Sequence, residues 1–314
     1  MTACLVIFQN HQYLANVEPL DRLYAGRFNT RRHVVPFYRG DRTDVLPAYE
    51  NSFRFQGYFA QAARELLAID CDHYIFIADD LILNPKISDE TYRDFFRLER
   101  DGACFVPELI PFPSLDFRWD RADNALRWRL DEPGVEAAHQ LPPVEEARKR
   151  FDALGVPHGS VSAAGVRRPL PRPPSTRRPF GLRRFAREAA EAGLANARLR
   201  APDARSLPYP LVAGYSDVFV LSREAAPDFL HYCGVMSATD LHAEVAIPTA
   251  MVLTAPHLSV EADCPVRGRA LWDDDVKMLD RYDRDLDQLL RDFPPEHLYL
   301  HPVKLSQWRS GDVR

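Results

Sequence analysis

The run from Tyr74 to Pro85, YIFIADDLILNP, limits the folds open to this chain more than any other segment. Its opening residues are aromatic, β-branched or small and apolar, which reads as a buried strand ending at Ala78. Two adjacent carboxylates, Asp79 and Asp80, follow at once. Two charges at the end of a buried strand are costly unless they open into a crevice or meet a cation. In open α/β sheets the carboxyl edge of the strands is where ligands bind. A metal site satisfies this pattern, and so does a plain carboxylate turn.

The neighbouring segments predict what surrounds that strand. Strands over 3–9, 32–38 and 74–78 alternate with a short helix over 17–24 and an amphipathic helix over 52–69, a βαβ pattern. Ser88 reads as the N-cap of a helix over DETYRDFFRLER, with acidic residues in its first turn. Residues 103–107 resume as a strand. The span 1–109 therefore predicts a parallel sheet of nucleotide-binding type. Both the GxGxxG and the GxxxxGK[ST] loops are missing, so a phosphate there must be held another way. Residues 110–208 form an irregular insertion rich in proline and arginine, with one helical pattern at RRFAREAAEAGLANARL. Regular structure returns over 209–314 with a strand, a Gly-Tyr-Ser-Asp turn, a second strand and two helical patterns. The expectation is one domain over 1–314.

With 46% hydrophobic residues, 314 residues suffice for a sizeable core. A net charge of −5 argues against general nucleic-acid binding, which needs a basic surface. The cysteines are Cys4, Cys71, Cys104, Cys233 and Cys264, an odd set without CxxC spacing, which fits a reducing compartment. No apolar run approaches the roughly 18 residues of a spanning helix. These features predict a soluble cytoplasmic protein.

YIFIADD at a strand end, GYSDVFVLS, EVAIPTA on a helix and YLHPVKLS near the C-terminus, in that order, resemble glycosyltransferases of the GT-A fold. The similarity covers most of the chain outside the insertion and is greatest to uncharacterised bacterial nucleotide-diphospho-sugar transferases. It implies a Rossmann-type mixed sheet flanked by helices, with 1–109 as the nucleotide-sugar-binding half and 209–314 as the acceptor and catalytic half. It also implies transfer of a sugar from a nucleoside-diphosphate-sugar donor to a glycan or lipid-linked acceptor, as in polysaccharide biosynthesis. The usual Asp-x-Asp motif is altered, because Ala78 stands at its first acidic position.

The chemistry of such a transfer explains the residue types. Negative charge builds on the departing diphosphate and must be stabilised. Mn²⁺ or Mg²⁺ does this from one or two carboxylates, with phosphates and water completing the shell. Asp80 is the expected metal ligand, with Asp79 orienting the donor. The resemblance makes His301 a further metal ligand and Lys304 the diphosphate partner; a lone histidine is otherwise more often a satisfied core or surface residue. Glu244 is the candidate base that takes the acceptor hydroxyl proton, or else a first-turn acid favoured by the helix dipole. A helix starting near Thr239 would set Asp240 and Glu244 on one face, with Val245, Ile247, Met251 and Leu253 toward the core. Asp217 could bind donor sugar or acceptor, with Gly214 permitting close backbone approach. Phe8, Gln9 and Asn10, at the first strand's end, and Gln56, at a helix start, are donor-binding candidates or core and solvated residues.

Two louder signals carry less. Asp273, Asp274 and Asp275 precede a charged helical pattern and read as capping residues. The insertion's arginines, Arg167, Arg168, Arg172, Arg177, Arg178, Arg183, Arg184 and Arg187, read as a solvated loop, or as a patch for phosphate-bearing acceptors and peripheral association with the inner membrane face. A second class of function also fits, a non-catalytic binding protein on a degenerate transferase scaffold that uses this basic insertion as its interaction surface.

Overall fold

The computed structural model describes residues 2–9, 14–114, 122–132, 134–159, 185–187, 189–190, 193–194, 207 and 209–309. The strand ending at the Asp79–Asp80 pair is central. In chain order the first elements are β1 (Ala3–Phe8), α1 (Val17–Tyr24), β2 (Thr30–Pro36), β3 (Val45–Ala48), α2 (Gln56–Gln61), α3 (Ala63–Leu67) and β4 (His73–Ala78). Every residue of β1 and of β4 is buried. Both strands are apolar on both faces because helices cover the sheet on either side. The helix expected over 52–69 is broken into a 3₁₀ turn at Ser52–Arg54 followed by α2 and α3. Asn51 caps the turn, its side chain accepting from the Phe53 N–H at 2.9 Å.

Next come β5 (Ile82–Leu83), α4 (Tyr92–Phe96), β6 (Ala103–Val106) and β7 (Ile110–Pro111). Ser88 is not a helix N-cap. Its hydroxyl accepts from the Glu90 N–H at 3.2 Å in a turn, and α4 starts four residues later. Then follow α5 (Ala122–Arg127), α6 (Val144–Ala153), β8 (Val212–Ala213), β9 (Val218–Ser222), α7 (Ala226–Ala238), α8 (Ala243–Thr254), β10 (His257–Val260), β11 (Arg267–Ala270), α9 (Leu286–Arg291) and β12 (His297–His301).

The fold is mixed α/β. Among the described residues the main sheet has seven strands in the order β10-β6-β9-β4-β1-β2-β3. β9 runs antiparallel to both β4 and β6, while β1 pairs in parallel with β2 and β4. The chain reverses its direction of travel across the sheet between β1 and β4. Such a switch point opens a crevice outside the carboxyl ends of the two strands. A smaller sheet, ordered β11-β12-β5, lies beside it.

The insertion is more regular than its sequence suggests. β7 and β8 pair antiparallel and close its neck, Ile110 opposite Ala213 and Pro111 opposite Val212. Its α5 and α6 contribute Leu126, Ala147 and Phe151 to a second apolar core shared with Val235, Val245 and Leu253 of α7 and α8. Residues 185–187, 189–190 and 193–194 are helical, within the predicted helix. Of the insertion arginines singled out above, all but Arg187 lie outside the described residues. No helix among the described residues is long and apolar enough to cross a membrane.

Candidate active site

Three pairings carry distant residues to the end of β4. Because β9 runs antiparallel to β4, its start lies beside β4's end, and the Ala78 N–H donates to the Asp217 carbonyl at 2.8 Å. The chain turns at Asp79–Leu81 into β5, which pairs antiparallel with β12, Leu300 opposite Ile82. His301 therefore returns to Asp80. The Val303 N–H donates to the Asp80 carbonyl at 2.6 Å, and the His301 Nε2 lies 3.0 Å from Asp80 Oδ1. The third link is the Gly214 N–H, which donates to the Glu244 carbonyl at 3.0 Å and ties the first turn of α8 to the strand before Asp217. Gly214 is required there, since a Cβ would sit 2.3 Å from the Glu108 carbonyl oxygen.

The result is a cleft of about 320 Å³ lined by Asp80, Asp217, His242, Glu244, His301 and Lys304, with Phe53 and Trp272 at its sides. His301 is buried, and its Nδ1 lies 2.6 Å from the Tyr215 hydroxyl. Burial pulls the His301 pKa down. The contact with Asp80, together with the charges of Asp217 and Asp79, outweighs burial and holds it above the usual imidazole value. Burial, with Asp217 nearby, pushes the Tyr215 phenol well up, so it remains a neutral hydroxyl. Tyr215 at Nδ1 fixes the ring so that Nε2 faces Asp80. One ring nitrogen held by an outer partner while the other faces the site is how metal-binding histidines are oriented.

Asp80 Oδ1 is buried and makes no aligned hydrogen bond, despite the nearby imidazole. A buried carboxylate oxygen next to an imidazole nitrogen is a donor set that fits a divalent cation, Mn²⁺ more readily than Mg²⁺. The pair offers two protein ligands, and phosphates and water commonly complete such a shell. The one cluster of three potential metal-ligating groups among the described residues lies elsewhere, at Asp21, His33 and Asp44. There Arg42 ion-pairs with both carboxylates, so their charge is already matched.

Other predicted site residues lie differently. Asp79 is buried and accepts from the Asn16 side-chain amide at 2.7 Å, just before α1, rather than lining the cleft. Phe8 is fully buried, stacked on Phe55 with centroids 4.8 Å apart and edge-on to Phe59, so its ring has no open face for a base. Gln9 is buried, and its N–H donates to the Val34 carbonyl at 3.0 Å. Gln56 is buried as well, its amide donating to the Leu241 carbonyl at 2.7 Å, which ties α2 to the loop before α8. Asn10 lies outside the described residues. Asp240 is not on the helix with Glu244. It has a φ of 63° in the connection between α7 and α8, and it ion-pairs with Arg54. α8 starts later, at Ala243, capped by the His242 imidazole, whose Nδ1 accepts from the Glu244 N–H at 3.2 Å. Trp272, not an aspartate, precedes the 3₁₀ segment Asp273–Tyr282. Asp275 pairs with Arg269 at 3.0 Å, and the helical capping falls to Asp285, at the start of α9. The side chains of Asp273 and Asp274 are outside the described set.

Sequence reasoning missed His242, Tyr215, Phe53 and Trp272. Tyr215 stands inside the GYSD turn and His242 two residues before Glu244, so adjacency to chosen residues was the available signal. No protein-family model and no curated protein matches the chain.

Proposed function

We propose that this protein is a metal-dependent glycosyltransferase of GT-A type, moving a sugar from a nucleoside-diphosphate donor to an acceptor hydroxyl. The observation that carries the reading is the meeting of Asp80, His301, Asp217, Glu244 and Lys304 in one cleft at the sheet's switch point. Asp80 comes from the first half of the chain and the other four from the second, on separate motifs.

Asp80 and His301 would hold Mn²⁺ or Mg²⁺. When bound, the ion supplies a Lewis acid that stabilises charge on a diphosphate. Lys304, exposed at the cleft rim, adds a positive charge for the same oxygens. Glu244 occupies the first turn of α8, where the helix dipole stabilises negative charge. From there it can accept a proton from an acceptor hydroxyl in the cleft, and Asp217 can hold hydroxyls of either sugar. Tyr215 fixes the His301 ring, and buried Asp79 braces the turn through Asn16.

The test is thermal stability against a panel of nucleoside diphosphates with and without Mn²⁺, since a ligand that binds only the folded state raises its stability. At least one nucleotide should raise the melting temperature in a Mn²⁺-dependent way. No shift with any nucleotide would refute the proposal.

A further inference from the structure

A second pocket, of about 290 Å³, adjoins the cleft and shares Trp272, Pro302 and Lys304 with it. That is near the lower end of the roughly 300–1,000 Å³ typical of small-molecule sites. Its walls differ in character from those of the cleft. Leu271, Val276, Leu279 and Trp308 line it, and two of its apolar side chains, Trp272 and Val276, are 56% and 43% exposed. Large apolar side chains gathered at one open groove mark a binding surface more often than scattered ones do. Arg284 and Lys304 add two cations and Asp280 one carboxylate. Neither cation is paired with a carboxylate among the described residues. The acids of the cleft and the apolar groove thus stand on either side of the Trp272 indole, whose ring edge also meets His301 at a centroid distance of 5.6 Å.

We infer that this groove receives the apolar chain of a phosphate-bearing lipid acceptor, with the phosphate at Arg284 and the acceptor hydroxyl reaching past Trp272 toward Glu244. The term acceptor rests on the glycosyltransferase reading; the amphiphile site does not. Continuity with the acid cleft argues for a ligand that extends into it, and the net positive charge argues for an anionic head. The apolar lining argues for a chain rather than a free phosphate.

The experiment is calorimetric titration of the full chain, without metal or nucleotide, using n-butyl, n-octyl and n-dodecyl phosphate, inorganic phosphate and n-octyl glucoside. Octyl phosphate should bind at least tenfold more tightly than butyl phosphate, inorganic phosphate or octyl glucoside. Each methylene that enters the groove is worth about fourfold in affinity. Val276→Asp should abolish the dependence on chain length, and Arg284→Asn the preference for phosphate over glucoside. Asn suits that site because Arg284 has a φ of 55°. Equal binding of butyl and octyl phosphate, or octyl phosphate affinity unchanged by both substitutions, would overturn the inference. The two readings fail separately. Chain-dependent binding with no response to any nucleotide removes the transferase and keeps the groove, whereas a nucleotide response without chain dependence does the reverse.

Discussion

At the scale of single residues, the proposed function gives Asp80 and Glu244 separable roles. Glu244→Gln removes a proton acceptor but keeps the shape of the α8 start, so Mn²⁺-dependent nucleotide stabilisation should persist while transfer falls by about 10²–10⁴-fold. Loss of nucleotide binding in that variant would place Glu244 in the donor site instead. A second residue governs pH behaviour far from the cleft. Burial, reinforced by the Arg93 charge, pushes His73 down to about 4. Its ring is within hydrogen-bonding distance of the Tyr92 hydroxyl at 3.0 Å and the Ala103 carbonyl at 3.1 Å, partners that suit the neutral tautomer. The unfolded chain takes up a proton near pH 6.5, whereas the folded one resists until about pH 4. Stability from this group is therefore complete above pH 6.5 and lost as pH falls from 6.5 toward 4, a change of about 3 kcal/mol. Urea midpoints of wild type and His73→Gln, compared at pH 7.5 and 4.5, should show a smaller acid loss in the variant.

At the scale of elements, the cleft depends on how strands are braced behind it. Gly268 of β11 faces the Tyr299 ring, where a Cβ would come within 2.0 Å. Tyr299 stacks on Tyr215, their planes 4° apart, and Tyr215 holds His301. Gly268→Ala should displace this column and weaken Mn²⁺-dependent nucleotide stabilisation, although residue 268 does not line the cleft. An unchanged response would show that the column does not transmit the displacement. The sequence carried the parallel strands and the acid-bearing ends well, because buried strands leave long apolar runs and Asp80 sits directly after one. It also marked His301 and Glu244, through motifs rather than through geometry. It did not carry the break at Ala62, the late start of α8 or the inward turn of Asp79. Those depend on tertiary partners, Asn16 for Asp79 and His242 for α8, that local periodicity does not encode. Phe8 was ambiguous for the same reason: an aromatic at a strand end can face a ligand or a core, and Phe55 and Phe59 decide for the core.

At the scale of the whole molecule, α8 joins the two cores. Ala243, Ile247, Ala250 and Met251 enter the main core, while Val245, Ala246, Val252 and Leu253 enter the one shared with the insertion. A helix buried on opposite faces couples the two in unfolding. Phe151→Ala, in the second core, should cost about 3–5 kcal/mol and lower one cooperative transition rather than produce a separate early one in calorimetry. In the proposed function Asp80 and His301, far apart in the sequence, hold one cation. Electron paramagnetic resonance of Mn²⁺, titrated into protein with the best nucleoside diphosphate from the panel, tests this most directly. Bound Mn²⁺ is expected in wild type and in Asp21→Asn, with affinity at least tenfold weaker in both Asp80→Asn and His301→Ala. Unchanged binding in Asp80→Asn, or a loss confined to Asp21→Asn, would contradict it.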